Sequence, residues 1–167
     1  MVGVSLAFVG ITLILNGMVG LKNWNKKDLF LINILTGSLI AIFNIYALVT
    51  NVVPSHNIHY FGALLFAFTN FFVAIYAVMN VDKRSFGWFC LFATLCAIAI
   101  GIYLLVTGVT FAGVMWLVWS LIWLFAFFGY AISEKFEIGA SIMFIIQGVI
   151  TTLTLGFLIM TNVFTLY

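Results

Sequence analysis

The chain has 167 residues, 66% of them hydrophobic and 6% charged, with a net charge of +2 and a mean hydropathy of +1.31. Soluble domains carry about a quarter charged residues, so a chain this apolar cannot cover itself against water, and a lipid bilayer is its natural solvent. The six basic residues are spread over three short segments instead of one patch, which excludes a nucleic-acid surface, and the length allows a single integral-membrane domain, residues 1–167.

A spanning helix needs about 20 apolar residues, and six such runs follow one another. The first covers residues 2–21 and ends at a polar cluster holding Lys22, Lys26, Lys27 and Asp28. Its basic residues come after the apolar run and not before it, so it reads as a membrane helix and not as a cleavable leader. The second covers residues 29–50. A connector, residues 51–58, follows with the only proline, Pro54, and with His56; His59 lies just beyond. The third run, residues 59–80, is closed by a segment holding Asp82, Lys83 and Arg84. The fourth, residues 86–106, contains Cys90 and Cys96. Six positions apart on a helix, these point in different directions, so they read as small apolar thiols and not as a disulfide or metal pair. An uncharged turn, residues 107–110, leads into the fifth run, residues 111–132. Glu134, Lys135 and Glu137 then separate it from the sixth, residues 138–162.

Charge placement orients the bundle. All the basic residues, Lys22, Lys26, Lys27, Lys83, Arg84 and Lys135, fall in the first, third and fifth connectors. The positive-inside rule makes those connectors cytoplasmic and puts both termini outside. Asp28, Asp82, Glu134 and Glu137 share the same connectors. No Asp, Glu, Lys or Arg lies within any of the runs. Ion pumps, proton relays and ion-coupled carriers need intramembrane ionisable groups, so their absence argues against those classes. A secondary transporter would further want broken helices at the midplane, and none is visible. An enzyme is not indicated: no nucleophile–base set, metal cluster or phosphate loop appears, and no cofactor is implied. The neutral polar residues left inside, Asn16, Asn33, Asn44, Asn70 and Gln147, read as interhelical hydrogen bonds or packing contacts. For Asn16 and Gln147 a polar position along a solute path stays open beside the packing one.

In the fifth run Trp116, Trp119 and Trp123 stand at spacings of three and four, which stacks them on one helix face. Tryptophan normally collects at the two membrane interfaces, yet Trp119 and Trp123 fall near the middle of the run. Taken alone, such a stripe is more often a helix–helix contact than the lining of a pore.

The first helix reads Leu6-Ala7-Phe8-Val9-Gly10-Ile11-Thr12-Leu13-Ile14-Leu15-Asn16-Gly17, the third holds Leu64-Leu65-Phe66-Ala67-Phe68-Thr69-Asn70, and the fifth holds the tryptophans. In this order and spacing they resemble the AmiS/UreI family of bacterial urea and short-chain amide channels, over nearly the whole chain. The resemblance implies an all-α membrane protein, six helices in a twisted bundle of three hairpins with both termini outside. It implies a homohexamer in the bacterial cytoplasmic membrane, each protomer a passive channel for urea or short-chain amides that feeds a cytoplasmic urease or amidase. Carried over position by position, the pore lining is Trp116, Trp119, Ile122 and Trp123 of the fifth helix, Phe66 and Asn70 of the third, and Val9 and Leu13 of the first. Asn70 stands where acid-activated members have a tyrosine, and Gln147 where they have a glutamate. Their long titratable second and fourth connectors are here short, so proton gating is not expected. A secondary transporter of small amides and a non-transporting membrane scaffold are the competing readings.

Overall fold

In hydrocarbon every backbone N–H and C=O must be paired within its own segment or with a neighbour, which leaves helices as the form these apolar runs can take. The structure, a computed structural model, describes residues 1–50, 57–79 and 82–165, the side chains of Asn57 and His59 excepted. It is helical throughout those residues, with no strand among them. Helix α1 spans Val2–Lys22 and ends on Asn23 in the left-handed conformation (φ 55°), a form of helix stop that asparagine tolerates. Helices α2 (Leu29–Thr50), α3 (Asn57–Val78) and α4 (Arg84–Val106) follow, and a turn through Gly108 at φ 85° leads to α5 (Thr110–Phe127). The last span is built in pieces: α6 (Glu137–Gln147), a π-helical turn (Gly148–Leu153) and α7 (Thr154–Met160).

Six stretches are long and apolar enough to cross a membrane, in the order expected. Two differences have physical causes. The fifth and sixth runs are not uniform α-helices, because α5 passes into a π-helical turn at Phe128–Ile132 and the sixth is interrupted at Gly148–Leu153. A π turn loosens carbonyls from the regular ladder, and threonines repair this one. Thr151 donates to the Gln147 carbonyl (2.9 Å), Thr152 to that of Gly148 (2.9 Å) and Thr154 to that of Val149 (2.8 Å). The charge-free cutting also needs adjusting at the ends, since α1 includes Lys22, α4 starts at Arg84 and α6 at Glu137. These are terminal positions, and the interiors stay free of charge. Residues 51–56 of the second connector, with Pro54 and His56, and Asn80 at the end of the third run lie outside the described residues, and the connector's last two residues, Asn57 and Ile58, begin α3.

The helices associate as three antiparallel pairs: α2 with α3, α4 with α5, and α1 with the sixth span. Lipid tails are as apolar as leucine, so helices in a membrane are held by close van der Waals contact and polar bonds, which favours small residues at the seams. Gly3, Gly10 and Gly17, seven residues apart, line the face of α1 toward the sixth span. A Cβ on Gly10 would stand 2.5 Å from the Leu153 backbone nitrogen, and one on Gly17 2.5 Å from the Ser141 carbonyl. Gly101 and Gly113 do the same between α4 and α5. Polar bonds fix α1 on α2: Thr12 and Thr36 share a 2.8 Å hydroxyl bond, and Asn16 and Asn33 exchange amide bonds of 3.2 and 2.8 Å. Asn44 of α2 donates to the Tyr60 carbonyl of α3 (2.9 Å). Outward faces carry exposed Leu31, Ile42, Val49, Leu95 and Val106, the apolar surface a bilayer solvates. The chain is a multi-pass membrane protein.

Candidate functional site

The helical spacing of the tryptophans does put their side chains on one face of α5, and that face is the interior. Trp116, Trp119, Ile122 and Trp123 are all buried, Trp123 to 1% exposure. Trp116 and Trp119 meet edge to face at a ring-centroid distance of 5.5 Å, close to the 5.4 Å rise of one turn. From α3, Phe66 enters this row and touches every indole in it, at 5.9 Å from Trp116, 5.6 Å from Trp119 and 4.7 Å from Trp123. Leu6, Val9 and Leu13 of α1 are buried in the same apolar cluster. The ring contacts thus join α3 to α5, while Val9 and Leu13 of α1 are buried members of the wider apolar core.

The indole N–H groups are treated unequally. Trp123 Nε1 donates to Thr69 Oγ1 (2.8 Å), whose hydroxyl donates in turn to the Leu65 carbonyl (2.7 Å). Trp119 Nε1 donates to Thr151 Oγ1 (3.1 Å), whose hydroxyl donates to the Gln147 carbonyl (2.9 Å). Each threonine hydroxyl accepts one indole N–H and spends its own proton on a backbone carbonyl. Trp116 Nε1 is buried with no partner among the described residues. Gln147 resolves in part. Its amide N–H donates to the Val118 carbonyl (2.9 Å) and toward Met143 Sδ (3.2 Å), so it bridges α6 to α5, while its Oε1 is buried and unpartnered. Asn16 takes the packing alternative, through Asn33. Asn70 is buried beside Phe66, and its amide donates to the Phe66 carbonyl one turn back (2.8 Å), so this donor is already committed to its own helix. Thr69 and Thr151 were not singled out as site residues from the sequence. A threonine in a membrane helix ordinarily bonds its own preceding turn, and only the fold shows that these two also receive an indole.

A second aromatic group lies toward the charged connectors. Phe86 packs on Phe72 (5.5 Å) and Tyr130 (5.4 Å), and the Lys83 ammonium lies over the Tyr130 ring at 5.2 Å from its centroid. The π turn at the end of α5 carries Tyr130 into this group. Beside it a recess of about 600 Å³ is lined by Lys26, Asp82, Arg84, Glu134 and Glu137 among others. Burial, followed by the nearby Lys26 ammonium, lowers the Lys83 pKa from the ordinary lysine value, with Glu137 and Glu134 opposing. Among the described residues no group of three or more His, Cys, Asp or Glu side chains is placed to hold a metal ion.

Known proteins share this fold. The chain is 28% identical to the acid-activated urea channel of Helicobacter pylori, over 90% of this chain and 93% of that one. It is also 28% identical, over 96% of this chain and 76% of the relative, to a Mycolicibacterium smegmatis protein named for the transport of amidate substrates. In structure it superposes on the crystal structure of the H. pylori urea channel with a TM-score of 0.87 at 25% identity, covering 99% of this chain and 100% of that one. It superposes on a closed-state structure of the H. pylori channel with a TM-score of 0.83 at 23% identity. The AmiS/UreI family transporter profile matches residues 1–163, and the chain belongs to that family.

Proposed function

We propose that the chain is a passive channel for urea and short-chain amides, with the conducting path of each protomer running along the aromatic centre between α1, α3 and α5. The observation that carries this reading is the row of buried indoles with Phe66 against it, in spans whose interiors hold no charged side chain. Urea and small amides are flat, neutral and polar. They cross bilayers slowly because each amide group loses its hydration, at several kcal/mol per group without a partner. Ring faces one turn apart give such a solute successive weak stacking sites, and conduction needs sites weak enough to leave. An ion meeting the same walls loses its water and gains no charge or carbonyl ring in exchange. With ring centroids 4.7 Å apart, Phe66 and Trp123 leave no room for a solute between them, so passage requires the Phe66 ring to yield.

The pore lining in this reading is Trp116, Trp119, Ile122, Trp123, Phe66 and Asn70, with Val9 and Leu13 on the α1 side. Assembly as a homohexamer, both termini outside, residence in the bacterial cytoplasmic membrane and delivery of solute to a cytoplasmic urease or amidase follow from the family resemblance and belong to the same proposal. So does conduction without proton gating: the fourth connector, residues 107–110, has no titratable side chain. The test is stopped-flow swelling of proteoliposomes in urea and in acetamide at two pH values. Flux above protein-free liposomes, unchanged by pH and changed in rate or selectivity by Trp123→Ala in an intact oligomer, is expected. Wild-type flux in Trp123→Ala removes the ladder from the path, and solute flux that runs only with an ion gradient replaces the channel by a coupled transporter.

A further inference from the structure

Buried hydrogen-bonding groups in folded proteins are almost always paired, and among the described residues two buried side-chain atoms have no protein partner: Trp116 Nε1 and Gln147 Oε1. One is a donor and the other an acceptor. Trp116, 4% exposed, stands in the aromatic row, and Gln147, 3% exposed, is tied to the α5 backbone at Val118, next to Trp119 in the chain. They are not equivalent in depth. Trp116 is the first indole of α5, two turns from its start at Thr110, and lies against Gly62, near the start of α3. Gln147 lies one turn before Thr151, which receives the second indole. The unpaired donor therefore precedes the unpaired acceptor along the ladder.

The other indoles explain why the donor is single. The Trp119 and Trp123 N–H groups are held by Thr151 and Thr69, whose hydroxyls are themselves tied to backbone carbonyls. These threonines are positioning residues: they fix the ring planes and leave the two indoles to offer faces without a free N–H. The Trp116 ring instead packs closely on Gly62, where a Cβ would meet it at 2.4 Å, and that contact leaves its N–H unused.

We propose that Trp116 Nε1 is the one indole donor presented to the permeating solute, and that it accepts the load of selecting for a carbonyl oxygen. The ligand class is a small neutral molecule with a strong acceptor oxygen on an sp² carbon, its amide N–H groups then serving the Gln147 carbonyl deeper in. This rests on the reading of the ladder as the conducting path. A neutral hydrogen bond contributes roughly two- to tenfold in an equilibrium or rate, so this selection is a modest preference and compatible with rapid release.

Urea and thiourea separate the effect, because they share the planar shape and N–H groups while sulfur is a weak acceptor. In Trp116→Phe, which keeps an aromatic ring without the N–H, the urea-to-thiourea flux ratio falls roughly two- to tenfold. In Trp119→Phe the ratio does not fall, because the Trp116 N–H stays free, and in Thr69→Val, which releases the Trp123 N–H as a second donor, it does not fall either. A wild-type ratio in Trp116→Phe, or an equal fall in Trp119→Phe, overturns the assignment. Should Trp116→Phe not assemble, replacing the Trp116 indole by benzothiophene, which has the same outline with sulfur in place of N–H, gives the same reading. Wild-type protein without urea flux above bare liposomes would instead remove the conducting path itself, which is a different failure.

Discussion

Gly10→Ala tests whether the seam between α1 and the sixth span holds the bundle together. The added methyl would meet the Leu153 nitrogen at 2.5 Å and its Cα and Cβ at 2.7 Å. These are chiefly backbone atoms, so no side chain can rotate aside. Ordinary contact starts near 3.4 Å, and the two helices must part by about 1 Å, a gap that forfeits a quarter to a half of the dispersion energy of the atoms it separates. Overpacking of this kind costs about 1–3 kcal/mol, against which alanine's better helix propensity returns at most about 1 kcal/mol. At about 2–4 °C per kcal/mol for a chain of this size, the unfolding midpoint in detergent drops by several degrees. Gly139→Ala is the control. Its methyl would lie 3.6 Å from the Phe125 ring, an ordinary contact, so the midpoint stays or rises slightly. If both variants melt together with the wild type, the glycine seam is not a source of stability and the packing argument is wrong.

Two further predictions concern polar groups. Asn16→Leu leaves the buried Asn33 amide without its α1 partner and is expected to lower stability by about 1–3 kcal/mol. The double variant Asn16→Leu/Asn33→Leu recovers part of that loss, and a double-mutant cycle in which the two effects simply add refutes the pairing. For Lys83, burial lowers the folded pKa below the ordinary 10.5, so between the lowered value and 10.5 the unfolded chain holds a proton that the folded chain has shed. Stability from this group therefore rises with pH across that interval and levels off above it. Thermal midpoints from roughly pH 8 to 11, compared with those of Lys83→Gln, should show the rise shrinking in the variant.

Much of this architecture can be read from the chain before any coordinates. Six apolar runs with every charge confined to three of the connectors admit no other solvent than lipid, and spacings of three and four place the tryptophans on one face whatever the neighbouring helices do. What a single sequence lacks is information about partners. Asn16 and Asn33 are each visible as hydrogen-bonding candidates, but nothing local says that they bond each other. The Thr69 and Thr151 hydroxyls have ready acceptors one turn back, which hides their second bonds to indoles. The π turns escape notice because Phe128–Ile132 and Gly148–Leu153 contain no proline, and the looser winding is stabilised by surrounding hydroxyls and packing. The residues of the candidate site were nameable early because the resemblance supplied them. Their unequal hydrogen bonding became visible only with the fold.

The pairing of α1 with the sixth span carries a consequence for how the molecule is made. α2 with α3 and α4 with α5 are sequence neighbours and can pair as soon as each hairpin is inserted. The first helix must wait for the last. Until then the groove formed by Gly3, Gly10 and Gly17 faces lipid, and the aromatic centre lacks the wall that brings Gln147 and Thr151 to it. Synthesis therefore ends with ring closure, and a ribosome stalled before Glu137 leaves a five-helix intermediate with an open side. Because Gly3 packs against Gly156 and Met160, the same closure sets the start of α1 against α7.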